Sequence, residues 1–541
     1  MQESKEQKYL KGAAILAAAS VFVKLIGAVY KIPIYNILDD GGRGSFQVTY
    51  NVYTLILTIS TAGVPAAMSR LVSSANAGGS ARLVKRYFSS ALPAFLVLGL
   101  IAMIAMFVFA DAFAGLMNDS LAAPGIRVLA PSVFFACIIS VYRGYAQGHE
   151  QMIPTAASQV VEVICKAAFG IVIAMQLASA NYEMHIVSAG AIAGVTVGLA
   201  LCVPLLIWYK RRMDRKLKNI DSDPEEVPGH MRVLGRLMKV SIPITISASF
   251  MAIMTFIDTS VVLGRLQTGP LMLTEAAARD QFGIYTLALP IYNLPLALVV
   301  PVSISIIPAI AAALAMGRGD QARGIMQSSV KLVNLLAMPA AAGLMVLATP
   351  ILVALYGDSR QLTATILTIL GAASFFASLQ YITTAILQAN GHERVALMTF
   401  PVGAALKIVL AYFLAGNPNY GIIGSPIGTL ACFVVISLLN FAFIIAMVKE
   451  RPKYSAVFIK PLLCTAAMAV VAYLVYELLY WLGSGLIGTA RYAVIVYLAG
   501  AIVAGIAVYV VFIIVTRTIT IEDMKLVPKG EKLAKILRVR K

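Results

Sequence analysis

Apolar stretches of about twenty residues, long enough to cross a bilayer, recur along this chain. They lie at 10–36, 47–69, 88–110, 126–147, 154–177, 185–209, 237–264, 282–314, 329–355, 363–388, 394–415, 421–447, 457–481 and 490–516. In lipid each backbone N–H and C=O must find its partner within the protein, so fourteen such stretches specify helices. The expected fold is an all-α integral membrane protein with 14 transmembrane helices. Composition excludes a soluble alternative, since 60% of the 541 residues are hydrophobic and only 13% are charged.

The net charge of +18 would suit nucleic acid, but its placement argues otherwise. Basic residues gather in every second loop: Arg70 with Arg82, Lys85 and Arg86; Lys210 to Lys218; Arg318 and Arg323; Lys449 to Lys460; and the tail from Lys525 to Lys541. The intervening loops carry acids such as Asp39, Asp119, Glu275 and Asp358, with scattered Arg and no Lys. This alternation follows the positive-inside rule and puts both termini in the cytoplasm. Membrane lipids are then the partners of the basic tail, not nucleic acid. The first stretch, interrupted by Lys24 and Lys31 and followed by no small-residue cleavage site, reads as a retained helix.

The chain also repeats itself. Phe134-Phe135-Ala136 leads through a helix to Gln147-Gly148-His149-Glu150, and Phe375-Phe376-Ala377 leads to Gln388-Ala389-Asn390-Gly391-His392-Glu393. Phe46 and Pro65 recur as Phe282 and Pro301, both shifted by 236 residues. Span 2 thus matches span 8, and span 4 matches span 10. An even shift keeps corresponding helices parallel, as in transporters built from two like bundles. The expected organisation is two pseudo-symmetric six-helix lobes, 1–209 and 237–447, joined by a cytoplasmic linker at 210–236. Two C-terminal helices at 448–516 and a basic tail at 517–541 follow.

Ionisable groups at membrane depth are costly and point to partners or to wet cavities. Lys24 and Lys31 stand seven residues apart on one helical face and suit a multiply charged anion, although Lys31 can also snorkel outward. Glu162 and Lys166, at i and i+4, are placed for an ion pair. Asp258 is a candidate coupling carboxylate, with Lys407 as its partner in the second lobe. Span 2 carries Gln47, Asn51, Thr54, Thr58 and Thr61, a continuous polar stripe read either as cavity wall or as helix–helix glue. Asn293 adds a polar group to the proline-rich span 8, whose Pro290, Pro295 and Pro301 suggest a bend. The candidate cavity set is therefore Lys24, Lys31, Asn51, Thr54, Glu162, Lys166 and Asn293.

Enzymatic constellations are missing from the sequence. Cys137, Cys165, Cys202, Cys432 and Cys464 fall inside spans without metal spacing, and the four histidines lack it too. No phosphate-binding glycine loop followed by Lys-Ser/Thr occurs. No metal and no cofactor are expected, and the chain is read as a non-enzyme.

Several segments resemble a known family. Arg143-Gly144-Tyr145-Ala146-Gln147-Gly148, with Pro154-Thr155-Ala156 and Ser158-Gln159-Val160-Val161-Glu162, resembles the fourth and fifth helices of the stage V sporulation protein B and YtgP-type proteins. Ala62-Gly63-Val64-Pro65, with Ser69-Arg70, is similar to their second helix, and Phe256-Ile257-Asp258 to their seventh. These proteins are MurJ-like members of the multidrug/oligosaccharidyl-lipid/polysaccharide exporter superfamily. Val23-Lys24-Leu25-Ile26-Gly27 resembles the Ser-Arg-Val-Leu-Gly of MurJ flippases, where the Arg is essential. The basic residues of their helices two and eight have no clear counterpart here. Asp258 resembles their sodium-site Asp, but Lys407 stands where an acid is expected. The resemblance implies a flippase of the bacterial plasma membrane. Its cargo would be undecaprenyl-pyrophosphate-linked saccharide, foremost lipid II for peptidoglycan synthesis, with cell-wall synthesis proteins as possible partners. A flippase for another polysaccharide precursor and a cation-coupled multidrug antiporter are the alternatives.

Overall fold

The computed structural model describes residues 16, 19–217, 228–449, 454–485, 488, 490–516 and 518. The middle of the 210–236 linker and nearly all of the 517–541 tail lie outside them. The described residues form helices and no strand, and fourteen helical segments are long and apolar enough to span a membrane. By packing they fall into two units, 1–268 with 272–286, and 269–271 with 287–541.

In the first unit, α1 covers Ala19–Ile37, α2 Asp40–Thr61, α3 Val64–Ala77, α4 Ala81–Val108 and α5 Ala110–Leu116. Then follow α6 Ala123–Gly148, α7 Ile153–Ser179, α8 Met184–Leu217, α9 His230–Thr268 and the start of α10, Glu275–Ala315. Among the described residues three entries into helix are capped by side chains: Asp39 Oδ1 accepts from Gly42 N at 2.7 Å, Ser80 Oγ from Leu83 N at 3.4 Å, and Thr274 Oγ1 from Ala277 N at 3.2 Å. The second span is broken where α2 passes to α3. Gly63 is required there, because a Cβ would stand 2.1 Å from Ser241 O of α9. Its N–H donates instead to Thr245 Oγ1 at 3.1 Å.

The first turns of α10 lie against α2 just as tightly. A Cβ on Gly283 would meet Asp40 O at 1.7 Å, a distance no rotamer can relieve. Gly283→Ala should therefore cost roughly 1–3 kcal/mol of stability, read as a lowered thermal midpoint in detergent. Unchanged unfolding would show that this approach does not form. Within α10 the packing changes hands after Thr286, and Pro290 and Pro295 follow, each lacking a backbone donor.

The second unit contains the rest of α10, then α11 Gly319–Val346, α12 Ala348–Tyr356, α13 Gln361–Ala389, α14 Glu393–Ala415, α15 Gly424–Met447, α16 Tyr454–Ser484 and α17 Arg491–Val515. Its interior is glued by polar groups as well as apolar ones. Buried Asn440 donates to Thr383 Oγ1 and Thr384 Oγ1, each at 3.1 Å, and accepts from Thr399 Oγ1 at 3.0 Å. Inside a bilayer such a saturated knot fixes helix register, since no water competes for it. Arg491 Nε donates to Ala354 O at 3.0 Å, tying α17 to the end of α12.

Candidate functional site

Two of the intramembrane lysines meet in the first unit. Lys31 leaves α1 and donates from Nζ to Gln47 Oε1 at 3.1 Å. Lys166 leaves α7 and donates from Nζ to Tyr50 Oη at 3.2 Å. Residues four apart on a helix share a face, so Phe46 and Tyr50 form one flank on α2, and Gln47 with Asn51 the next. The Tyr50 ring lies between the cations, 5.3 Å from Lys31 Nζ and 4.8 Å from Lys166 Nζ. Tyr30 closes over Lys166 at 4.6 Å, while Tyr35 and Phe46 stand 5.9 and 6.0 Å from Lys31. Aromatic faces stabilise a desolvated cation by about 0.5–2 kcal/mol each, without neutralising it. Among the described residues neither ammonium has a carboxylate within ion-pair distance. The result is a half-buried pair of positive charges with attraction left over for an anion.

The expected Glu162–Lys166 pair is not what forms. Glu162 Oε2 accepts from Arg143 of α6 at 2.9 Å, and Arg143 Nε donates to Ser158 Oγ at 2.8 Å. The reason is geometric. Helical side chains lean toward the N-terminus of their helix, so Glu162 points away from Lys166 and toward the end of α6. There the planar guanidinium serves both Glu162 and Ser158. Arg143 lies close to the end of an apolar stretch, so the sequence alone does not mark it as an intramembrane charge.

The polar stripe of α2 divides. Gln47 and Asn51 reach outward: Gln47 Nε2 donates to Asn51 Oδ1 at 2.8 Å, and Asn51 Nδ2 to Thr259 Oγ1 of α9 at 2.8 Å. Thr54, Thr58 and Thr61 instead return their hydroxyls to carbonyls of their own helix, at 2.8, 2.6 and 2.7 Å. Lys24 is exposed on α1, where no contact to the lysine–tyrosine cluster is seen among the described residues. Asp258 is buried on α9 beside Thr259. Lys407, on α14, and Asn293, exposed on α10 and donating to Leu289 O at 2.8 Å, belong to the second unit.

A further polar cluster is assembled from residues that lie far apart in the sequence. Arg279 Nε donates to fully buried Asp119 Oδ1 at 2.6 Å, Ser45 Oγ donates to its Oδ2 at 2.9 Å, and Glu275 Oε1 accepts from Arg279, Ser120 N and Ser120 Oγ. Asp119 and Arg279 are 160 residues apart, and each alone resembled an ordinary loop charge. Among the described residues no group of three or more His, Cys, Asp or Glu could hold a metal.

Residues 9–314 match the family model described as polysaccharide biosynthesis protein. Three Bacillus subtilis proteins are each 26% identical to the chain: the uncharacterized membrane protein YabM (98% of this chain, 97% of that one), lipid II flippase MurJ (93% and 94%) and stage V sporulation protein B (97% and 98%). Among solved structures, lipid II flippase MurJ in an inward closed conformation superposes with TM-score 0.65 at 15% identity, covering 93% of this chain and 97% of that one. An inward-facing multidrug resistance MATE transporter of the MOP superfamily gives TM-score 0.61 at 15% identity over 80% of this chain and 98% of that one. The fold is of this MurJ and MATE type.

Proposed function

The chain belongs to the polysaccharide biosynthesis protein family, within the MOP exporter superfamily, and from that premise we propose that it is a flippase for undecaprenyl-pyrophosphate-linked saccharide. Lipid II is the first candidate cargo, moved from the inner to the outer leaflet of the bacterial plasma membrane for peptidoglycan synthesis. The observation that carries this reading is the Lys31–Lys166 pair, two cations around Tyr50 with no ion-pairing acid among the described residues. A diphosphate offers the complementary charge, and contacts to charged groups strengthen where water is excluded. The aromatic flanks hold the ammonium groups in place while leaving their charge unspent.

In this reading the head group enters from the cytoplasmic side, with Lys24 as a further cation on α1, and the lobes alternate their access around it. The lobes would be 1–209 and 237–447, with both termini cytoplasmic. An inside-negative potential favours outward movement of an anion by ~2.3 kcal/mol per charge per 100 mV. Asp258, with Lys407, is the candidate for added ion coupling. A MATE-type drug antiporter shares the fold, but a pair of neighbouring cations repels cationic drugs. The test is complementation: cells depleted of their lipid II flippase should regain growth when this chain is expressed. Vesicles should move labelled lipid II and leave a cationic dye where it was. Dye export without lipid movement would overturn the proposal in favour of the antiporter.

A further inference from the structure

The hydrogen bonds that begin at Lys31 continue in one direction as far as α9. Lys31 Nζ donates to Gln47 Oε1, Gln47 Nε2 to Asn51 Oδ1, Asn51 Nδ2 to Thr259 Oγ1, and Thr259 Oγ1 to Thr255 O, at 3.1, 2.8, 2.8 and 3.0 Å. Gln47, Asn51 and Thr259 are 8, 7 and 3% exposed, so water does not blur the sequence of partners. An ammonium has protons and no acceptor, whereas a side-chain amide has one end of each kind. Lys31 therefore fixes which way Gln47 faces, and Tyr35 Oη, 3.5 Å from the same Oε1, donates in keeping with that orientation. Gln47 fixes Asn51, and Asn51 leaves Thr259 as an acceptor whose own proton must go back to Thr255 O.

An anion that draws the Lys31 ammonium off Gln47 removes the charge that sets this polarity, and the Tyr35 hydroxyl, which can donate or accept, follows either orientation of the amide. Gln47 can then turn its Nε2 toward the anion and its Oε1 toward Asn51. Asn51 turns in response and presents Oδ1 to Thr259, whose hydroxyl now donates to Asn51 and releases Thr255 O. A Thr hydroxyl bonded back to its own helix bends that helix, so releasing it alters α9 at the residue next to Asp258. We infer that Gln47, Asn51 and Thr259 are positioning residues that report an anion at Lys31 to α9 by reversing the direction of this file. The inference rests on the anion-binding reading of the lysine pair and extends it from binding to transmission.

The test separates the two. Thr259→Val keeps the shape of the last link, removes its hydroxyl and leaves Lys31 untouched. In nanodiscs, Thr259→Val should bind undecaprenyl pyrophosphate within about twofold of the unsubstituted chain, since the lysine pair is intact. It should lose the ligand-induced change in hydrogen exchange of the α9 segment around Thr255, and flip lipid about tenfold more slowly. Thr259→Ser, which restores the hydroxyl, should recover both. Asn51→Leu breaks the file one link earlier and should give the same loss of response, which keeps the inference testable if the valine variant does not fold. A valine or leucine variant that keeps the exchange response and flips at full rate overturns it. If Lys31→Ala binds undecaprenyl pyrophosphate as tightly as the unsubstituted chain, the anion site itself is refuted, whatever Thr259 does.

Discussion

Lys166→Ala is expected to slow movement of diphosphate-linked lipid at least about tenfold while the chain still inserts and folds. Lys166 is packed by Tyr30 and Tyr50, has no carboxylate partner among the described residues, and so leaves no stranded opposite charge when removed. Its loss is thus a loss of binding rather than of structure. A hydrogen bond to a charged group contributes about 1.5–3 kcal/mol, so binding of undecaprenyl pyrophosphate should weaken roughly ten- to a hundredfold. Tyr50→Phe tests the arrangement more finely. It removes the Oη that accepts from Lys166 but keeps the ring between the two ammonium groups, so affinity should fall only about threefold to fivefold. If Lys166→Ala binds and flips normally, the lysine pair is not the head-group site.

How much of this could be read from the sequence depends on which force set each feature. Lipid demands about twenty apolar residues per span and full internal pairing of the backbone, so the fourteen spans were legible from local composition. The break at Gly63 was not, because it answers to Ser241 on a helix far along the chain. Lys31 and Lys166 were legible singly, as costly charges, but their meeting around Tyr50 depends on how α1, α2 and α7 pack. Tyr30 and Tyr50 lie within or beside apolar stretches, and nothing local in the sequence shows that their rings face ammonium groups. Periodicity found the stripe on α2 but could not tell Gln47 and Asn51, whose amides reach across helices, from threonines whose short hydroxyls fold back onto their own turn. The i, i+4 rule favoured Glu162 with Lys166, and a third residue from another helix, Arg143, prevailed because it offers Glu162 a planar partner on the side toward which Glu162 already leans.

Asp119→Ala should be the most destabilising single change in the first unit. Asp119 is 0% and Arg279 9% exposed in their side chains, so the substitution leaves a guanidinium buried with its nearest partner gone. Burial is the largest influence on the Asp119 carboxyl and opposes its charge, and Arg279 and Ser45 supply the compensation. Breaking such a pair from one side costs about 3–5 kcal/mol, whereas replacing both members with apolar groups can be nearly neutral. Asp119→Ala combined with Arg279→Met should therefore be more stable than Asp119→Ala alone. Glu275→Ala removes a carboxylate that is 39% exposed, and its cost should stay below ~1 kcal/mol. Thermal unfolding of the three variants in one detergent checks the order. If the double variant is the least stable, the energy at this site resides in packing contacts and not in the buried charge pair. The same experiment bears on transport. Arg279 belongs to the stretch of α10 that packs with the first unit, and the helix changes partners just beyond it. A flipping rate that falls with Asp119→Ala and recovers in the stabilised double variant would show that α10 needs its first turns held, and does not need the charge that holds them.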